Sequence, residues 1–158
     1  MSGPDAVRRL VYRLPLRLEG TGLPELAQRL LGVDWIVLET RGRRTGTPHV
    51  VVLDVLHHDA ERDRYYVQPA YGDAADWVRN VRREPRVTAR VGARRFQARV
   101  RDVTGPEGAD AMLRFVRLHP WYARIIAWFI GHVHGLDRPD AVLRPELEAL
   151  MTLSIDVV

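Results

Sequence analysis

Four short runs rich in β-branched and aromatic residues come in two pairs, and each pair is joined by a glycine-containing turn. Trp35 to Thr40 and His49 to His57 flank GRRTGTP, while Val87 to Val91 and Phe96 to Val103 flank Gly92-Ala93-Arg94-Arg95. Turns this short join antiparallel neighbours, because a parallel pair needs a crossover of a dozen or more residues. The second pair also alternates: Val87, Ala89, Val91 and Phe96, Ala98, Val100 can face a core while Thr88, Arg90, Gln97, Arg99 and Arg101 face away. Adding Arg64 to Pro69 and Leu153 to Val158 gives five or six strands that do not alternate with helices as β-α-β units. The expected fold is therefore α+β, a mostly antiparallel barrel or sheet with helices packed on it.

The helices come from a different period. Residues 5–14 (DAVRRLVYRL) place Val7, Leu10, Val11 and Leu14 on one face with arginines between, making a basic amphipathic helix that Pro15 interrupts. A short helix follows at Pro24 to Leu31, with Gly32 after its end. In DAADWVRNVRR, Asp73 is the expected N-cap, and Ala74, Trp77, Val78 and Val81 share a face. Thr104-x-x-Glu107 is expected to open a helix to about Leu118 as a capping box. The almost wholly apolar Pro120 to Ile130 makes another helix, residues 131–140 a loop, and Glu146 to Met151 a turn of helix. At 158 residues this is one domain, 1–158, with a helical segment over 1–32 and the strand core with its inserted and late helices over 33–158.

Charge narrows the function. All 24 basic residues are arginine, so no single arginine is informative by type, and a pI near 10.1 on a net charge of only +4 is weak evidence for nucleic-acid binding. Distribution says more: Arg79 to Arg101 holds nine arginines against Glu84, a local excess of eight that leaves the rest of the chain net −4. That asymmetry suits an anionic cofactor tail or acidic surface, and the stretch is not interleaved with the exposed aromatics that nucleic-acid stacking would need. With no cysteine there are no disulfides or thiolates, and the two serines, Ser2 and Ser154, sit in no nucleophile motif. His57-His58 and His132-x-His134 bring no third ligand at a convincing spacing, so no metal site is expected. No run is apolar for long enough to cross a membrane, and no signal peptide is visible, so a cytoplasmic location is expected. The basic first helix could add peripheral membrane contact.

Two loops carry the candidate chemistry. GRRTG is neither a Walker loop nor a dinucleotide fingerprint, because the second glycine comes early and a strand follows. Arg43 and Arg44 nevertheless offer forked donors, and the turn can expose backbone N–H groups to an anion; the other reading is a solvated hairpin turn. Ala70-Tyr71-Gly72-Asp73 leads into a helix start, whose free N–H groups also favour an anion. HPWYARIIAWFIG is either a core helix or a flap over an apolar ligand.

TRGRRTGTP in a hairpin followed by AYGDAADWVRNVRREPRV resembles the deazaflavin (F420)-dependent nitroreductase, or F420H2-dependent quinone reductase, family over residues 33–125. The family motifs are G-R-[RK]-[ST]-G and [DP]-W-x-x-N-[LV]-x-x-x-P-x-V. The resemblance implies a split β-barrel of the FMN-binding type that binds coenzyme F420, whose phosphate and glutamate tail would engage the basic loop and stripe. Implied cofactor contacts are Arg43, Arg44 and Thr45; His49, Val50 and Val51; Gln68, Pro69, Ala70 and Tyr71; and Asp76, Trp77, Val78, Arg79 and Asn80. His49 stands where many members have arginine and Tyr71 where some have lysine, which shifts tail binding toward Arg44 and Arg79. The implied reaction is hydride transfer to an apolar quinone, enone or nitro compound, with Tyr122 orienting or protonating it and His119 and Trp121 beside it in the acceptor pocket. The alternatives are an FMN-binding oxidoreductase on the same barrel, or a non-catalytic lipid, tetrapyrrole or cofactor carrier. A homodimer is expected by analogy with related barrels.

Overall fold

In the computed structural model the described residues are 26, 29–130 and 135–158, the side chains of 129 and 130 excepted. The basic helix expected over 5–14, part of the one over 24–31, and His132 and His134 lie outside them. Six strands form a closed barrel in the order β1-β2-β3-β6-β5-β4, every pair antiparallel. They are β1 (Trp35–Arg41), β2 (Pro48–Asp59), β3 (Arg64–Val67), β4 (Arg86–Val91), β5 (Arg94–Asp102) and β6 (Leu153–Val157). The expected split barrel is what forms: closure leaves no exposed sheet edge, and the two hairpins predicted from their turns are β1–β2 and β4–β5.

The barrel interior follows from strand alternation. Ile36 and Leu38 of β1, Leu53 and Val55 of β2, Val87 and Ala89 of β4, Ala98 and Val100 of β5 and Leu153 and Ile155 of β6 fill it. Helix α1 (Asp76–Arg83) adds Ala75, Val78 and Val81 to this same core, which anchors its first turn beside the β1–β2 loop. A second core lies between β2's outer face and α2 (Pro106–Leu118), α3 (Pro120–Ile130) and α4 (Asp140–Glu148), built on Met112, Phe115, Val116, Ala123, Leu143 and Leu147.

Three expectations need correction. Asp73 does not cap α1: Gly72, at φ +48°, starts a turn of 3-10 helix over Gly72–Ala74, the chain straightens at Ala75, and Asp73 pairs with Arg82 instead. Thr104 and Glu107 form no capping box either. Gly105 at φ +110° is the N-cap, Glu107 reaches out to Arg64 and Tyr66, and the Thr104 hydroxyl accepts the Thr152 N–H. The late helix starts at Asp140 rather than Glu146, because burial of Leu143 and Leu147, four residues apart, outweighs Pro145 inside it.

Candidate functional site

The β1–β2 loop is closed on itself before any ligand is considered. Gly42 N–H donates to Thr47 O (2.8 Å) and Gly46 N–H to Gly42 O (2.8 Å), with Gly46 at φ +70°, a conformation that glycine reaches without steric cost. Gly42 is under a milder constraint, since a Cβ there would meet only side-chain ends, the His49 ring at 2.9 Å and the Thr45 hydroxyl at 3.1 Å. Thr45, Thr47 and His49 continue as a side-chain chain, Oγ1 to Oγ1 at 2.7 Å and Oγ1 to Nε2 at 3.4 Å.

Asn80 ties this loop to α1. Its side chain, only 3% exposed, accepts the Arg43 N–H at 3.1 Å and an Arg43 guanidinium N–H at 3.3 Å, and donates to the buried Thr40 hydroxyl at 3.5 Å. Thr40 in turn donates to the His49 carbonyl (3.3 Å), and Arg43 reaches Asp76 at 3.1 Å. The two sequence motifs are therefore one hydrogen-bonded unit, in which the asparagine of the helix supplies the acceptor that the arginine of the turn requires.

Between the loop, the 68–77 segment and α3 runs a cleft of about 650 Å³, a size ordinary for a small-molecule site. Arg43, Arg44, Thr45, His49, Val50, Val51, Gln68, Ala70, Tyr71, Asp76, Trp77 and Asn80, all expected from the sequence, line it. Pro69, Val78 and Arg79 do not: Val78 is in the barrel core, and Arg79 Nε donates to the Asp73 carbonyl at 3.0 Å. No arginine between 82 and 101 lines the cleft, so the basic stripe expected to meet the cofactor tail lies outside it. Four of those arginines are instead paired with acids: Arg82 with Asp73, Arg94 with Asp63, Arg95 with Glu39 and Arg101 with Asp156.

The cleft also takes in Val52, Asp54, Leu56 and Ile126, which were not expected. Val50, Val52, Asp54 and Leu56 alternate along the outer face of β2, with Asp54 about 17 Å beyond His49 at the strand rise of roughly 3.4 Å per residue. Ile126 of α3 faces them. Asp54 accepts the Tyr122 hydroxyl at 2.9 Å and stands opposite Trp35, its cross-strand neighbour, and burial pushes its carboxyl above the usual carboxylate range against the lowering influence of both. Tyr122 thus holds a cleft residue without lining the cleft itself. His119 caps the end of α2 against Phe115 and Gly32, and Trp121 is half exposed on the outer face of α3; neither lines the cleft. A smaller apolar hollow, lined by Met112, Phe115, Ala123 and Leu147, adjoins the cleft and shares Leu56, Gln68 and Ile126 with it.

A closed antiparallel barrel with a guanidinium-lined, partly apolar cleft along one wall has the shape and charge to take an elongated ligand that is anionic at one end. The family is given by the sequence: residues 13–128 match the F420H(2)-dependent quinone reductases, and the chain belongs to that family. It is accordingly an oxidoreductase that uses coenzyme F420. Among solved structures it is similar to an F420-H2 dependent reductase, FDR-A, at 19% identity and TM-score 0.51 over 77% of this chain and 93% of that one. It is also similar to a general stress protein 26-related protein of the pyridoxinephosphate oxidase family from Clostridium acetobutylicum, at 10% identity and TM-score 0.51 over 87% and 84%. Both likenesses concern the barrel fold. Among curated proteins, no sequence matches.

The donor set fits the cofactor. Arg44 is exposed, lines the cleft and makes no ion pair or side-chain hydrogen bond among the described residues, which leaves its forked donors available to an anion there. Val50 and Tyr71, 48% and 40% exposed, offer apolar surface beside them for a ring system.

Proposed function

We propose that this chain reduces an apolar electrophile of the quinone, enone or nitro class, with the phosphate and glutamate tail of F420 held at the β1–β2 loop and the acceptor at the Leu56–Ile126 end. One observation carries this reading: the cleft is basic at Arg43 and Arg44 and apolar at Leu56 and Ile126, and the apolar hollow beneath α2 and α3 opens from that second end. Reduced F420 supplies a hydride. The protein's part is positioning and electrostatics.

Arg44, with the loop's backbone, would bind the anionic portion by charge-assisted hydrogen bonds. Arg43 is already fixed by Asn80 and Asp76, so it contributes a preorganised charge at little further entropic cost. Trp77 and Tyr71 would flank the ring, and Leu56 and Ile126 would exclude water from the acceptor. Tyr122, through Asp54, fixes the polar point in this otherwise apolar end.

Oxidation of reduced F420 by the purified protein, followed across quinones, enones and nitroaromatics of matched potential, tests the reading. Turnover should favour apolar, uncharged acceptors. Equal or better turnover of anionic, hydrophilic acceptors would overturn it.

A further inference from the structure

We propose that Asp54 is the proton donor of the reaction, its carboxyl set in the apolar end of the cleft to protonate the oxygen of an acceptor that has taken a hydride. The proposal rests on the acceptor seat given above and assigns a role to a residue that the sequence motifs leave out.

The argument begins with position. In the run VVVLDVL, Asp54 is the acid among apolar residues, and strand alternation places it with Val50, Val52 and Leu56 on the face of β2 that looks out of the barrel into the cleft. A carboxylate here is costly unless it is paired or neutral, and among the described residues no arginine or histidine reaches it. Among the described residues its hydrogen bond comes from a neutral donor on a rigid element, the Tyr122 hydroxyl on α3, and the neutral Trp35 stands opposite it on β1. From α3 the titratable group facing it is Tyr122; the cleft's other ionisable side chains, Arg43, Arg44, His49, Tyr71 and Asp76, belong to the loop, the 68–77 segment and the first turn of α1. Burial keeps its carboxyl protonated to a higher pH than an ordinary aspartate.

The chemistry then balances. Hydride transfer breaks a C–H bond of the reduced cofactor, which is oxidised by two electrons, and forms one new bond to the quinone or enone, whose displaced π pair moves onto the carbonyl oxygen as a C–O⁻ group. A charged Asp54 would repel that oxyanion in a low-dielectric site, whereas a neutral carboxyl cancels it. The Asp54 O–H bond breaks, an O–H bond forms on the acceptor oxygen, and the carboxylate left behind recovers a proton from water. Tyr122 and Trp35 stabilise that carboxylate and act as positioning residues.

The test compares two acceptors. A quinone or enone needs a proton after the hydride, while an N-methylacridinium cation takes a hydride and is neutral without one. Asp54→Asn should lower kcat with the neutral acceptor by about a hundredfold or more, the usual scale of general acid catalysis. The loss with the cation should be at least about tenfold smaller, and F420 affinity, read by fluorescence, separates any effect on binding. In the wild type, kcat with the neutral acceptor should fall as pH rises through the Asp54 pKa. That limb should vanish in Asp54→Asn and move to higher pH in Tyr122→Phe, which removes a hydrogen bond favouring the charged form. Carbon-13 NMR of the cofactor-free protein should find a carboxyl titrating above the ordinary aspartate range that is missing from Asp54→Asn. Equal losses with both acceptors, or an Asp54 that titrates as an ordinary aspartate, would overturn the assignment. A wild type that binds F420 but reduces no quinone or enone would instead remove the acceptor seat on which the assignment stands.

Discussion

The two ends of the barrel spend the same residue types in opposite ways. At the end carrying the β2–β3 and β4–β5 turns, Arg94 grips Asp63 with two N–H groups at 2.9 and 2.5 Å, and Arg64 bridges Glu107 (2.6 Å) and Asp156, which Arg101 also reaches. At the β1–β2 end, Arg44 has no such partner among the described residues, and Arg43, held by Asn80, pairs only with the largely exposed Asp76 at the cleft wall. The aspartates differ in the same sense. Arg94 above all, with help from His58, holds the Asp63 carboxyl down at about 2, whereas burial holds Asp54 up. At Arg94 and Asp63 the charge serves the fold; at Arg44 and Asp54, which are not paired with each other's kind, it is left for a ligand.

The largest effect that would break this contrast is at Asn80. Asn80→Ala leaves the Arg43 amide and the Thr40 hydroxyl without their partner, a loss of about 1–3 kcal/mol for groups this buried. Chemical denaturation should show that loss, and F420 affinity should fall with it; unchanged affinity would mean that the loop does not depend on α1.

Next comes the pH dependence of stability, with opposite signs at the two ends. Asp63 has a folded pKa of about 2 against 3.8 unfolded, so its contribution is present above pH 3.8 and is lost as pH falls toward 2. Arg94→Ala should therefore lower the melting temperature at neutral pH and narrow its gap to wild type in that acid window. Asp54 has a raised folded pKa, so its burial penalty is absent below 3.8 and grows as pH rises through the folded value. Asp54→Asn should raise the melting temperature at alkaline pH relative to wild type, the difference closing toward pH 4. A parallel pH response of the two variants would erase the distinction.

The smallest effect expected is at Gly42. The added methyl of Gly42→Ala meets only the ends of the His49 and Thr45 side chains, which can turn away. Stability should change by less than about 1 kcal/mol, within the range of ordinary surface substitutions. F420 binding should weaken a few-fold, because those side chains line the cleft.

Much of this was legible in the chain. The hairpins follow from turn chemistry and alternation, and Gly42 to Asn80 from two motifs whose joint occurrence Asn80 explains physically. What failed was local: Asp73 and Glu107 have the composition of helix starts, yet ion pairs with Arg82 and Arg64 claim their carboxylates. The arginine stripe misled for a related reason, since sequence shows charge density but not which arginines find acids across the barrel. Asp54 was missed although its signal was present. A lone acid on an apolar strand marks either a fault in the pattern or a site, and only the cleft, Trp35 and Tyr122 decide between them.

The most direct test of the contrast is a fluorescence titration of F420 against the wild type, Arg44→Ala and Arg94→Ala at low salt. Arg44→Ala should weaken binding about tenfold or more, with a difference that shrinks as salt screens it, and Arg94→Ala should bind as the wild type does. Equal binding by Arg44→Ala, or a loss as large in Arg94→Ala, would contradict the claim that the β1–β2 end keeps its charge for the cofactor.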